Sequence, residues 1–269
     1  MSVLSRIIEE VGIFKNARTN KSGDIYFRGQ REKNLLIPSL LRIKNQERRI
    51  EFYEGTYYCD GWIMGASEFE KEASSWEILA RFQHYQIPTR LLDWSSSLIS
   101  AIYFSLEKCL SCNNKSECVL KDACDGYPVI WVLDPVRMHK ELLAKDICNK
   151  YSAFTIGVDE IQEYKDVFIT NKEDWKLGDV PIFIEIPWKN ARISKQKGYF
   201  TFHPNEKELD KFNVSDTWLK KIVINECEIE KLINEINIIG INDHDIYSDL
   251  PSLGRYFNRR LMDSNIYYK

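Results

Sequence analysis

The chain has 269 residues, 44% hydrophobic and 29% charged, with 12 Gly, 8 Pro and a formal net charge of -3. That balance excludes a disordered, collagen-like or coiled-coil chain, and the length allows one large domain or two small ones with an ample buried core. The acidic balance argues against non-specific binding to a nucleic-acid backbone, and no apolar run nears the ~20 residues of a membrane helix, so no membrane association is expected.

In chain order, Val3, Leu4, Ile7, Ile8 and Val11 recur at helical spacing and predict a helix over 3–14. A polar stretch with the turn signal Ser22-Gly23 leads to DIYFRGQ (24–30), which reads as a strand closed by Gly29. Two helical pieces follow, 45–58 and 68–84, the second with Phe69, Ala73, Trp76, Leu79 and Ala80 on one face and ended by Ile87-Pro88. Thr89 to Asp93 reads as a short extended link, and Ser95 to Ser97 as caps for a buried helix over 98–107 that is apolar nearly all round. PVIWVLD (128–134), PIFIEIP (181–187), GYFTFHP (198–204) and KKIVIN (220–225) read as strands. Residues 135–180 mix short helical pieces with loops. An amphipathic helix over 228–238 ends at Gly240, and a last helix follows Pro251. No repeat, linker or low-complexity tract divides the chain, so a single domain over 1–269 is expected, with C-terminal helices in 227–269. Strands and helices do not alternate regularly, which favours an α+β fold, a mixed or antiparallel sheet core with flanking helices.

Seven cysteines, an odd number, follow an N-terminal MSVLSRIIEEVG that has no apolar signal core. A disulfide framework is therefore not expected, and a reducing cytoplasm is the expected compartment. Cys59, Cys148 and Cys227 are isolated, whereas Cys109, Cys112, Cys118 and Cys124 crowd into a polar stretch, 108–127, that reads as a loop. Their first pair has the C-x2-C spacing of a zinc knuckle, while the later gaps of five are not a standard finger. Structural zinc on these four thiolates and a set of exposed reduced thiols both remain open. The intervening polar residues argue against a hydrophobic interior for any of the four, and a closed four-thiolate site would have no catalytic position.

Three polar motifs lie in apolar surroundings. In Tyr26-Phe27-Arg28-Gly29-Gln30 the arginine could offer a fork of donors to phosphate or carboxylate, or pair with a structural carboxylate. Gly29 would admit a ligand or another backbone. The run from Gln83 to Ser97 is dense in polar groups and ends on a helix N-terminus, a natural anion site. Taken singly, its serines could be caps, Arg90 could pair with Asp93, and His84 could be a core histidine; taken together they favour a ligand site. In the third run, Arg192 to His203, Gln196 precedes a glycine and a strand and can bond a sugar hydroxyl but cannot act as a base. Its plain alternative is a turn glutamine. P-loop, GxGxxG, HExxH and GxSxG motifs are absent, which removes support for the common ATPase, dehydrogenase, zinc-protease and hydrolase readings.

The runs FRGQ, HYQIPTRLLDWSSSLISAIYFS and RISKQKGYFTFHP together resemble the FRG domain family, named for its phenylalanine-arginine-glycine motif and found mainly in bacteria and their phages. The resemblance covers about 24–204 and makes 108–127 look like an insertion. The order of elements also looks like the ADP-ribosyltransferase fold, whose arginine-serine-glutamate members open with an aromatic-Arg-Gly strand. That likeness implies Arg28 on the phosphate or ribose of NAD, Ser95 ordering the nicotinamide pocket, and Gln196 in the place of the usual catalytic glutamate, with Glu185 as a rival carboxylate. Gln30, His84, Thr89, Arg90 and Ser96 are expected beside Arg28 around the nucleotide. A glutamine at the third position keeps the hydrogen bond and loses the charge that stabilises the ribosyl cation, which disfavours protein-directed transfer and leaves NAD hydrolysis or transfer to a nucleic-acid acceptor. The implied protein is an NAD-consuming enzyme, a bacterial toxin or phage-defence effector. A non-catalytic nucleotide or nucleic-acid binding module and a zinc-loop protein-interaction module are the alternatives, and a homo-oligomer is compatible with either.

Overall fold

A computed structural model describes residues 2–18, 24–43, 47–65, 73–110, 126–143, 154–155, 161–170, 175, 177–186, 198–247 and 250–263. Its helices are α1 (Val3–Asn16), α2 (Glu47–Met64), α3 (Ser75–His84), α4 (Leu98–Leu110), α5 (Pro135–Leu142), α6 (Glu226–Ile238), α7 (Asp243–Tyr247) and α8 (Leu250–Asp263). Its strands are β1 (Tyr26–Arg31), β2 (Leu91–Ser95), β3 (Pro128–Leu133), β4 (Phe154–Thr155), β5 (Ile182–Glu185), β6 (Gly198–Phe202) and β7 (Leu219–Val223). They form one mixed sheet in the order β4-β5-β6-β2-β1-β3-β7, parallel only between β4 and β5. The chain is thus α+β with flanking helices, as the irregular alternation of elements predicts. Among the described residues no helix is long and apolar enough to cross a membrane.

Strand alternation sorts the core into two faces. On one, Phe27, Ile130, Val132 and Ile222 pack under α1, α4 and α6 through Ile7, Ile102, Leu232 and Ile233. The same face continues over Leu91, Ile182, Ile184 and Phe202 to Trp76 and Phe82 of α3. On the other, Tyr26, Leu92, Trp94, Trp131 and Phe183 are covered by Leu36, Met138, Leu209, Phe212 and Trp218. β2 has the two-sided burial of a central strand, which is why Thr89 to Asp93 is not a link: Leu91 to Ser95 pairs in full with β6, from Leu91–Phe202 to Ser95–Gly198.

The helix ends have local chemical causes. Ser74 and Glu77 form a capping box at α3, Ser74 Oγ accepting from Glu77 N at 3.2 Å and Ser74 N donating to Glu77 Oε2 at 2.8 Å. Gly240, with φ +81°, ends α6 in the left-handed region open to glycine. Glu235 joins the two outer helices by accepting from Val3 N at 3.1 Å and Leu4 N at 2.8 Å, so it satisfies the first free amides of α1.

The sheet opens at one place. β1 and β3 stay in register from Tyr26–Leu133 to Arg31–Pro128. β1 and β2 share only Phe27–Ser95. Continued register would oppose Gly29 to Asp93 and Arg31 to Leu91, yet no such pairs form, and the two strands part. Gly29 instead lies under α4, where an added Cβ would stand 1.8 Å from the carbonyl oxygen of Ala101.

Candidate functional site

The gap between β1 and β2 is a cleft of about 360 Å³, within the lower part of the roughly 300–1,000 Å³ range of small-molecule sites. β1 supplies Arg28, Gln30 and Arg31, β2 supplies Asp93, Trp94 and Ser95, α3 supplies Gln83 and His84, and α4 supplies Phe104, Glu107 and Lys108. Tyr247 of α7 closes one side, its hydroxyl donating to Glu107 Oε1 at 2.5 Å.

Arg28 is a partly buried cation of the cleft, its side chain 16% exposed. Its Nε donates to Gln30 Oε1 at 3.0 Å and its Nη1 to the Asp93 carbonyl at 2.8 Å, with Asp93 Oδ2 3.7 Å away. Among the described residues Nη2 has no protein partner. Gln30 is fixed in turn by donating Nε2 to the Asn34 carbonyl at 2.8 Å. Burial draws the Arg28 guanidinium down to about 10, with Asp93 opposing the fall and Arg42 adding to it. It stays charged at neutral pH. Burial lowers Arg42 as well, again opposed by Asp93, so two guanidinium groups share the field of one carboxylate.

Asp93 and Gln83 stand in the polar run singled out above and carry more of the cleft than its better-known residue types. Gln83 Nε2 donates to Asp93 Oδ2 at 2.7 Å, while Gln83 Oε1 accepts from Thr89 Oγ1 at 2.6 Å. The Asp93 side chain is 53% exposed, on the open side of the cleft. Gln86, at φ 64°, holds the left-handed turn after α3 that lets the chain double back beneath these groups.

Behind the cleft, Trp94 Nε1 donates to Thr201 Oγ1 at 3.0 Å, and the same hydroxyl shares a hydrogen bond with His203 Nε2 at 3.0 Å. Burial, with the Arg28 charge in support, pushes His203 from 6.5 down to about 3. A folded value below the unfolded one means this stability is complete above pH 6.5 and is lost as pH falls toward 3, at up to ~1.4 kcal/mol per pH unit. Melting temperatures between pH 7.5 and 5 are expected to fall less steeply in His203→Gln than in the natural protein. Equal slopes would contradict this account.

The structure places the expected site residues unevenly. Arg28, Gln30, His84 and Ser95 line the one cleft. Ser95 is 6% exposed, and its Oγ accepts from Ser97 N at 3.0 Å. Ser97 is the serine that caps α4, accepting from Ser100 N at 3.3 Å. Ser96 and Thr89 lie outside the cleft lining, and Thr89 reaches it only through Gln83.

Arg90 is turned the other way. It is 2% exposed and forked onto Glu54 of α2, with Nε 2.8 Å from both carboxylate oxygens and Nη2 2.7 Å from Oε2. It therefore pairs with Glu54 and not with Asp93. Glu185 does not line the cleft; it stands on β5, where its charge adds to burial in raising the phenols of Tyr26 and Tyr199. Gln196 lies outside the described residues.

Cys109 corrects the reading of the cysteine stretch. α4 runs on to Leu110, because Ile102, Leu106 and Cys109 keep the helical spacing, and Cys109 is 0% exposed in the core. Its Sγ accepts from Arg31 Nη1 at 2.9 Å. Cys112, Cys118 and Cys124 lie outside the described residues, and among the described residues no three His, Cys, Asp or Glu side chains gather to hold a metal.

Glu107, Lys108 and Tyr247 carried no signal of a site in the sequence. The first two follow Phe104 by one helical turn, and Tyr247 arrives through tertiary packing on Tyr103 and Phe104.

The model of the FRG domain matches residues 23–114. That segment contains β1, α3, β2 and α4, and so nearly all of the cleft wall. No curated protein and no solved structure matches the chain.

Proposed function

We propose that the chain is an NAD-consuming enzyme with an ADP-ribosyltransferase-like arrangement, which binds the dinucleotide in the β1–β2 cleft and breaks its nicotinamide–ribose bond. The observation that carries the reading is that Arg28 and Ser95 line one cleft at the sheet opening. One is a largely buried guanidinium whose Nη2 has no partner among the described residues, the other a nearly buried serine on the facing strand. A guanidinium held by Gln30 and Asp93 is already oriented before any phosphate arrives, so little ordering cost falls on binding. The cleft volume suits one half of a dinucleotide, with the rest extending outward. Phe104 and Tyr247 give a ring an aromatic wall, and Trp94 lies behind the charged end.

The acceptor of the ADP-ribosyl group is water, a protein or a nucleic acid. An enzyme of this kind would serve a bacterial toxin or phage-defence role by depleting NAD.

Incubation with NAD is expected to release nicotinamide. Arg28→Ala removes charge-assisted bonds worth about 1.5–3 kcal/mol each and is expected to lower kcat/KM roughly 10- to 100-fold or more. Calorimetry that shows no NAD binding to the folded natural chain would refute the reading.

A further inference from the structure

We infer that Asp93 is the carboxylate of the bond-breaking step, and that Gln83 and Thr89 are the positioning residues that aim it. This rests on the NAD-cleaving reading of the cleft. The ADP-ribosyltransferase likeness leaves the usual glutamate position to Gln196, which has no charge to give. Glu185 is two strands away from β2, about 10 Å at the ordinary strand spacing, on a strand that does not line the cleft. Asp93 is in the cleft, beside the arginine assigned to the ligand.

Its orientation is set by a directional chain of hydrogen bonds. Leu91 N donates to Thr89 Oγ1 at 3.1 Å, so the hydroxyl proton is free to go to Gln83 Oε1, 2.6 Å away. That contact fixes which end of the Gln83 amide is oxygen, and the NH2 end then faces Asp93 Oδ2 at 2.7 Å. Oδ1 is left without a protein partner among the described residues, on a side chain open to the cleft. Thr89 is 1% exposed, which anchors the chain at its inner end.

The step balances as follows. The bond between C1′ of the ribose and the pyridinium nitrogen breaks, and its electron pair leaves with nicotinamide, now neutral. Positive charge develops on C1′ and the ring oxygen, and the Asp93 carboxylate stabilises it. A water oxygen forms the new bond to C1′, and its proton passes to Asp93 Oδ1 and then to solvent. The products are nicotinamide, ADP-ribose and a proton.

The test uses the purified full chain with NAD, following nicotinamide release and NAD affinity on the same preparations. Asp93→Asn can still accept from Gln83 and should keep the melting temperature. Loss of such a group is expected to lower kcat at least about 100-fold, with the Kd for NAD within about threefold. Gln83→Leu is expected to lower kcat about tenfold with KM unchanged, because the carboxylate is no longer aimed by its donor. Turnover by Asp93→Asn within about threefold of the natural chain would overturn the assignment. So would loss of NAD binding with turnover, which would make Asp93 a binding group only. A natural chain that releases no nicotinamide defeats the functional reading, and this inference falls with it.

Discussion

Gly29→Ala is expected to destabilise the protein by at least about 3 kcal/mol, the upper end of ordinary overpacking. Gly29 is the glycine of the phenylalanine-arginine-glycine run, and its backbone is that of an ordinary strand, so no special φ demands it. What demands it is space. The missing Cβ would fall 1.8 Å from Ala101 O, 2.6 Å from Ser105 N and 2.8 Å from Ala101 C. All three are backbone atoms of α4, and no side chain can rotate away to relieve them. Either β1 or α4 must shift, and both elements line the cleft. On a total stability of roughly 5–15 kcal/mol, a loss of that size lowers the melting temperature by about 6 °C or more. A variant melting within about 2 °C of the natural chain would contradict the packing described. The glycine admits a neighbouring backbone, that of α4.

Elements whose evidence is local are legible from the amino acids. The stripe Val3, Ile7, Val11 announces α1, and Ile229, Leu232, Ile233 and Ile236 with Gly240 announce α6 and its end. β2 is not legible in this way. Leu91, Leu92 and Trp94 are buried on both faces, so period-two alternation is absent, and the strand exists because β6 pairs with it along its length. β4 has two residues, Phe154 and Thr155, and owes its assignment to a parallel partner. The polar residues that follow Cys109 mask its place in the sequence, whereas its spacing from Ile102 and Leu106 belongs to α4.

The site shows the same division. Residue type marks the run from Gln83 to Ser97 as chemically dense but cannot say which side chain points where. Asp93, Trp94 and Ser95 of β2 line the cleft, while Arg90, just before the strand, meets a glutamate from α2 that no sequence neighbour announces.

That buried pair gives the other large expected effect. Arg90→Met should cost about 3–5 kcal/mol, because it strands the Glu54 carboxylate in the interior. The Arg90 and Glu54 side chains are 3% and 4% exposed, so water cannot take over the lost partner. Arg90 Nη1 also donates to the Pro204 carbonyl at 3.0 Å, and its guanidinium lies 5.3 Å from the ring centroid of Phe168. Tyr164 donates its hydroxyl to the same glutamate, so one ion pair ties α2, the start of β2, the chain after β6 and the turn at Lys165–Thr170 together. The penalty comes mainly from the uncompensated charge and less from the lost attraction. The double variant Arg90→Met with Glu54→Leu should therefore recover most of the stability that Arg90→Met loses. Chemical denaturation of the two variants and the natural chain decides this. A residue whose chief duty were to hold a nucleotide would behave in the opposite way: Arg90→Met would keep its stability and lose only ligand affinity. If stability survives while NAD affinity collapses, Arg90 belongs to the cleft after all, and the ion pair with Glu54 is a resting contact that the ligand replaces.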